Sequence, residues 1–161
     1  QLAEGSPWLD RVYGICETIT DIRNGQKFVS ANRYVGKGQY EQVMPCEELG
    51  NFCFFSLKDP QETIPSDRNR IKCPFSLIFW FDMRKVSLPT DERNIEQIKD
   101  QILGILDELH NPYLAITRIY EKWQNVFSEY TYDIVANHYL MSPYAGIRID
   151  GYIEARVSCI K

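Results

Sequence analysis

The chain has 161 residues, the length of one ordinary globular domain, with a hydrophobic fraction of 44% and a charged fraction of 25%. Its formal net charge of −4 gives it little attraction for phosphate backbones, which argues against nucleic-acid binding. No window reaches the roughly 20 apolar residues that a membrane-spanning helix needs, and no signal-peptide pattern is visible. We therefore predict a single folded domain over residues 1–161 that binds neither nucleic acid nor membrane.

The first predicted element is a helix over residues 7–24. Ser6 suits the N-cap and Pro7 suits the first helical position, and Asn24-Gly25 provides a stop. Between these ends, apolar residues recur at helical spacing. They are Trp8, Val12, Ile15, Ile19 and Ile22.

A β-hairpin is predicted next, with strands over residues 27–35 and 39–44 and a turn at 36–38. The Gly-Lys-Gly turn lacks the GxxxxGK[ST] signature, so it favours a hairpin over a phosphate loop. Residues 51–57 predict a short apolar strand. The polar, proline-containing residues 58–72 that follow predict a long mobile loop.

Residues 75–86 have the strongest strand pattern of the chain, because apolar and mixed positions alternate along them. The apolar positions are Phe75, Leu77, Phe79, Phe81 and Met83. The mixed positions are Ser76, Ile78, Trp80, Asp82 and Arg84.

A helix is predicted over residues 94–109, where isoleucine and leucine recur at helical spacing before an Asn111-Pro112 stop. Residues 114–120 predict another strand. The aromatic stretch 127–139 is ambiguous, with a short helix over 132–139 as one reading.

The last predicted strand begins at Ile147 and has a strict period of two. Its inner face is apolar or small and is expected to lie in the core, under the 94–109 helix or its sheet partner. Its outer face is polar, and Glu154 or Arg156 on that face could pair with Asp82 and Arg84 if the two strands are neighbours. The outer positions are Arg148, Asp150, Tyr152, Glu154 and Arg156. Together these elements predict an α+β two-layer sandwich, in which a mainly antiparallel sheet carries one long packed helix and an N-terminal helix.

Five cysteines and two histidines are the candidate nucleophiles and soft metal ligands of the chain. The cysteine count is odd and no CxxC pair occurs, which argues against a disulfide framework and against a zinc site. A Cys–His pair would need His110 or His138, but no glycine-rich elbow precedes any cysteine. We therefore predict buried free thiols, with no metal, no cofactor and no catalytic residue.

The order of these elements resembles one protein family, the tail-terminator and tail-completion proteins of long-tailed bacteriophages with their head–tail neck relatives. The resemblance rests on the N-terminal helix, the long polar loop, the strand CPFSLIFWFDMRKV, the helix NIEQIKDQILGILDEL and the ending SPYAGIRIDGYIEARVSC. That ending is particularly similar to prophage proteins of this type.

The resemblance implies a non-enzymatic subunit that forms a homo-oligomeric ring, for example a hexamer, and caps or connects the tail tube. It implies tail-tube or head-completion proteins as partners, and a location in the bacterial host cytoplasm during assembly and then in the virion. A tail terminator, a neck component and a tube-associated protein all fit. The implied contacts to neighbouring subunits are Arg68, Arg70, Trp80, Asp82, Arg84, Arg148, Asp150, Tyr152, Glu154 and Arg156.

Two other functions fit the residues. A monomeric adaptor would bind a protein or peptide in an aromatic groove lined by residues such as Trp80, Trp123 or Tyr130. An enzyme would need a pocket that brings a cysteine or carboxylate to His110 or His138.

Overall fold

A computed structural model of the protein describes residues 5–59, 61–64, 67–86, 95–108, 111–131 and 141–156. In this part of the chain the protein is mostly β, with 56% of residues in strands and 19% in helices. The predicted α+β two-layer sandwich is therefore wrong. The predicted N-terminal helix is absent, since its described residues form strands, and a second sheet is present.

The nine described strands form a six-stranded main sheet and a three-stranded small sheet. In the main sheet the order is β1-β5-β7-β9-β8, with β6 paired to β7, and only the β1–β5 pair is parallel. In the small sheet the order is β2-β3-β4, all antiparallel. The strands are β1 (Arg11–Ile15), β2 (Glu17–Arg23), β3 (Gln26–Gly36), β4 (Gln39–Val43), β5 (Phe52–Leu57), β6 (Glu62–Ile64), β7 (Asp67–Asp82), β8 (Leu114–Tyr120) and β9 (Tyr144–Arg156). The α-helices are α1 (Ile95–Glu108) and α2 (Trp123–Val126), and short 3-10 turns span Glu47–Leu49 and Met83–Lys85.

The main sheet separates two hydrophobic cores, and β7 contributes to both because its side chains alternate between the faces. One core joins the main sheet to α1. Its central members are Phe75, Leu77, Phe79, Phe81, Ile98, Ile102, Leu106, Ile147 and Ile149. The other core joins the main sheet to the small sheet and to residues 126–130. Its central members are Phe52, Phe54, Ile78, Trp80, Ala31, Val43, Val126, Phe127 and Tyr130.

The predicted helix over residues 7–24 is wrong: residues 11–15 form β1 and residues 17–23 form β2. The segment is rich in β-branched residues, which fit a pleated surface better than a helix. Asn24 and Gly25 both have positive φ, 51° and 76°, and join β2 to β3 with Arg23 opposite Gln26. This Asn-Gly pair is a two-residue hairpin turn, not a helix stop.

The predicted mobile loop over residues 58–72 is also wrong in part, because β6 and the start of β7 lie within it. Its charges are compatible with strands because they meet partners across the sheet. Arg70 Nη1 lies 3.9 Å from Glu154 Oε2, and Lys72 Nζ lies 4.6 Å from the centre of the Tyr152 ring.

Several other predictions are confirmed. The predicted hairpin over 27–35 and 39–44 corresponds to β3 and β4, and the predicted strand over 114–120 has the bounds of β8. Ile147 and Ile149 are fully buried in the core with α1, as expected. The predicted short helix over 132–139 lies outside the described residues, as do His110, His138 and Cys159.

Candidate interaction surface

Three of the residues predicted to contact neighbouring subunits are buried inside the chain. The relative exposure is 1% for Trp80, 3% for Asp82 and 7% for Arg148. Because side chains enclosed in this way cannot reach another subunit, the prediction of contacts at these positions is wrong. A long alternating strand predicts two faces but does not show what covers each of them.

Trp80 is a core residue of the face that the small sheet covers. Its ring stacks on Tyr144 and on Phe52, with centroid distances of 5.3 and 5.7 Å. On the same face of β7, Asp82 accepts hydrogen bonds from Arg84, with Nε–Oδ1 at 2.9 Å and Nη2–Oδ2 at 2.8 Å. The Arg84 hydrogen bonds hold the pKa of Asp82 below its usual value. The register places Asp82 opposite Tyr144, so the predicted pairing of Asp82 and Arg84 with Glu154 or Arg156 is wrong.

Arg148 and Asp150 belong to an ion-pair cluster between the main sheet and the 123–131 segment. Arg148 donates from Nε to Asp150 Oδ1 at 2.7 Å and from Nη2 to Glu129 Oε1 at 2.8 Å. Lys58 forms an ion pair with the other oxygen of Glu129. Ser76 donates from Oγ to Asp150 Oδ1 at 2.5 Å. We call these five residues the Arg148 cluster.

The charges of the Arg148 cluster balance, with two cations facing two carboxylates. Burial on its own would raise the pKa of Asp150, but hydrogen bonds from Arg148 and Ser76, together with the nearby charges, lower it overall. All four charged groups are therefore engaged with one another. Among the described residues no group of three or more Cys, His, Asp or Glu side chains could hold a metal ion. Through Glu129, which accepts a hydrogen bond from Arg148 and pairs with Lys58, the cluster links the 123–131 segment to the main sheet.

Arg84 lies on the turn after β7. The remaining predicted contact residues lie at the end of the sheet that holds the start of β7, with Arg68 and Arg70, and the end of β9, with Tyr152, Glu154 and Arg156. Register places Arg70 opposite Arg156 and Lys72 opposite Glu154. Arg70 also lies over the Tyr113 ring, 4.9 Å from its centre. Tyr152 and Glu154 are half-buried, and Arg156 is exposed. Arg68 lies on β7, and its side chain is outside the description.

Two exposed edge strands, β2 and β8, are not among the surfaces that the sequence predicted to contact neighbouring subunits. In the two sheets as described, β2 and β8 are each paired on one side only. Every residue of β2 except Ile19 is exposed, and so are the four central residues of β8. Ile22 is 74% exposed and Ile119 is 36% exposed. In β2 the apolar spacing that included Ile22 predicted a helix, and the exposed strand was missed for that reason.

The cysteines give no support to nucleophilic chemistry. Cys16 and Cys53 are buried, and burial raises the pKa of each thiol to about 12. Near neutral pH both therefore remain thiols. The four cysteines in the described part of the chain, Cys16, Cys46, Cys53 and Cys73, are all free.

The described cavities are shallow grooves at the surface. One of about 480 Å³ lies beside Met83, Ile95 and Pro143, and another of about 570 Å³ lies between α1 and β8. The predicted aromatic groove is wrong, because Trp80 and Tyr130 are core residues and only Trp123 of that set is exposed.

Comparison with known proteins identifies no relative, since no family model, no curated protein and no solved structure matches the chain. None of the helices in the described ranges is long and apolar enough to cross a membrane.

Proposed function

We propose that the chain is a structural subunit of a phage tail, of the tail-terminator or neck type, which assembles with copies of itself into a ring that caps or connects the tail tube. The observation that carries the proposal is the pair of exposed strands, β2 and β8, which belong to different sheets. Contact between two different surfaces of identical subunits is heterologous, and a heterologous contact closes into a ring when the rotation between subunits allows it.

The sequence resemblance supports the phage assignment through three of its segments. In their described residues, the strand CPFSLIFWFDMRKV, the helix NIEQIKDQILGILDEL and the ending SPYAGIRIDGYIEARVSC each contribute apolar side chains to the core with α1. The N-terminal helix of the family layout is not retained, since that segment forms β1 and β2. This departure leaves the terminator, neck and tube-associated types as alternatives within the proposal.

A mechanical role agrees with the chemistry of the described side chains. The two buried thiols are protonated near neutral pH, and the Arg148 cluster is internally neutralised. The charges of the cluster are thus satisfied within the fold, which agrees with a mechanical role. The partners in this role are tail-tube or head-completion proteins, met in the host cytoplasm during assembly and kept in the virion.

Electron microscopy of tail tubes tests the proposal. Tubes assembled from the tail-tube protein of the same prophage would be imaged with and without the purified chain. We expect a ring at one end of each tube and an end to further growth. Tubes of unchanged length and appearance, with the chain left unbound in the supernatant, would overturn the proposal. Binding of one copy to a peptide or another protein would instead favour the adaptor function.

A further inference from the structure

We infer that neighbouring copies in the ring meet through β2 of one copy and β8 of the next, with Asp21 facing Arg118 across the junction. The inference rests on the proposed function and adds the identity of the two contacting surfaces. It commits to one occupant for both edges, a second copy of this chain.

Charge complementarity between the two strands supports the pairing. Both are seven residues long, and their centres read Ile-Thr-Asp-Ile at 19–22 and Ile-Thr-Arg-Ile at 116–119. A parallel alignment of these tetrads sets Asp21 opposite Arg118 and Ile22 opposite Ile119. All four of these side chains are exposed in the single chain. The contact would therefore bury apolar area beside a charge pair, the combination that fixes register between subunits.

Both charges retain local partners without being enclosed by them. Asp21 Oδ2 lies 3.6 Å from Arg23 Nε, and both side chains are more than half exposed. Arg118 hydrogen-bonds Tyr120 on its own strand. Exposed pairs of this kind are weak, so a partner from another copy can compete with them.

The other described strands that are paired on one side only, β1, β4 and the three-residue β6, are less suited to the contact. β1 has five residues and contains Gly14 at a φ of 70°, whereas β8, whose pairing with β9 shifts register between Ile116 and Arg118, contains no glycine. A glycine at positive φ interrupts the extended backbone that edge-to-edge association needs. β4 is shorter, and its Glu41 is already paired with Arg33 at 3.0 Å. Charges on edge strands also serve to keep monomers apart, and reversing the charges on β2 and β8 distinguishes that role from a contact.

The test is charge reversal on both sides of the junction. We would measure the assembly of wild type, Asp21→Arg, Arg118→Asp and the double variant by sedimentation velocity, alone and on tail tubes. Each single reversal is expected to raise the concentration needed for assembly at least about tenfold, because like charges then face each other. The double variant is expected to recover, and so is an equimolar mixture of the two single variants, because every junction in an alternating ring again joins opposite charges.

Controls use exposed charges away from the junction. Asp100→Arg on α1 and Lys85→Asp in the second 3-10 turn are expected to assemble like wild type. Assembly of both single variants at wild-type concentrations would overturn the inference and leave the proposed function intact. Failure of the double variant and of the mixture to recover, with circular dichroism unchanged, would also overturn it. A wild type that stays monomeric alone and on tubes would overturn the proposed function itself.

Discussion

Arg148 and Asp150, two positions apart on one face of β9, form a bidentate ion pair on the face of the main sheet that residues 123–131 cover. Arg148 Nε donates to Asp150 Oδ1 at 2.7 Å, and Arg148 Nη2 donates to Asp150 Oδ2 at 2.9 Å. The Arg148 side chain is only 9% exposed, so the guanidinium depends on this carboxylate and on Glu129 for the hydrogen bonds that water would otherwise provide.

Removing the carboxylate charge should therefore destabilise the fold. We expect Asp150→Asn to lower the free energy of unfolding by about 1–3 kcal/mol, because it leaves a buried cation with fewer partners. Urea denaturation would measure the change. The matched control is Asp100→Asn, at an exposed position of α1, which should leave the urea midpoint nearly unchanged. Equal midpoints for all three proteins would show that the Arg148 cluster adds nothing to stability.

The same pair predicts an acid dependence with a definite sign. The folded pKa of Asp150 is depressed below an unfolded value of about 3.9, so its contribution to stability is fully present above that value. The contribution is lost as the pH falls through the folded pKa. The stability difference between wild type and Asp150→Asn should thus be constant near pH 6 and narrow toward pH 2. A difference that stays the same over the whole range would contradict the depressed pKa.

Trp80 should behave as a core residue and not as a contact residue. Its ring is fully buried between Phe52 and Tyr144, so Trp80→Ala should lower the free energy of unfolding by about 3–5 kcal/mol. Trp123, exposed on α2, is the matched control, and Trp123→Ala should cost far less. Thermal or chemical denaturation of both variants gives the comparison, and similar losses in the two would be inconsistent with the observed burial.

Two glycines should respond to alanine with opposite signs. Gly25 has a φ of 76° in the β2–β3 turn, where an alanine is strained, and Gly25→Ala should destabilise the protein by about 1–2 kcal/mol. Gly104 is exposed on α1 with nothing within 4 Å of an added Cβ, so Gly104→Ala should stabilise by about 0.5–1 kcal/mol. Melting temperatures measure both, and a stabilising Gly25→Ala would refute the hairpin turn.

Chemical labelling of the buried thiols tests both cores, because Cys16 lies in the core that contains Trp80 and Cys53 lies in the core with α1. In a variant with Cys46, Cys73 and Cys159 replaced by serine, Cys16 and Cys53 should resist a thiol reagent at pH 8. Both are buried, with a pKa of about 12. Addition of urea should make both thiols react with the reagent at the same urea concentration at which the protein unfolds. Rapid labelling of the native variant would show that one of them lies in an accessible environment.

The parts of the fold that the sequence predicted correctly are those with a long and uniform period. The strands around Leu77 and Ile149 and the helix around Ile102 each repeat one pattern for several turns or pleats. The N-terminal segment does not. Gly14 interrupts the alternation of β1, and the chain changes sheets at Cys16, so the apolar spacing across both strands imitates a helix.

The site was predicted less well, for a non-local reason. The polar row on β9 correctly indicated a face turned away from the α1 core, but the cover over Arg148 comes from residues 128–129 and from Lys58. Nothing in the row itself indicates that those distant segments return to it. The exposed edges of β2 and β8 depend in the same way on strand order, which alternation along one strand does not specify.

If the proposed assembly of identical copies is correct, the molar mass of the protein in solution should show it. Light scattering coupled to size exclusion would be recorded over a range of concentrations, for the chain alone and after incubation with tail-tube protein. We expect a discrete mass that is an integer multiple of one chain, formed at high concentration or on the tube. The mass of a single chain under both conditions, with no material on the tube, would contradict it.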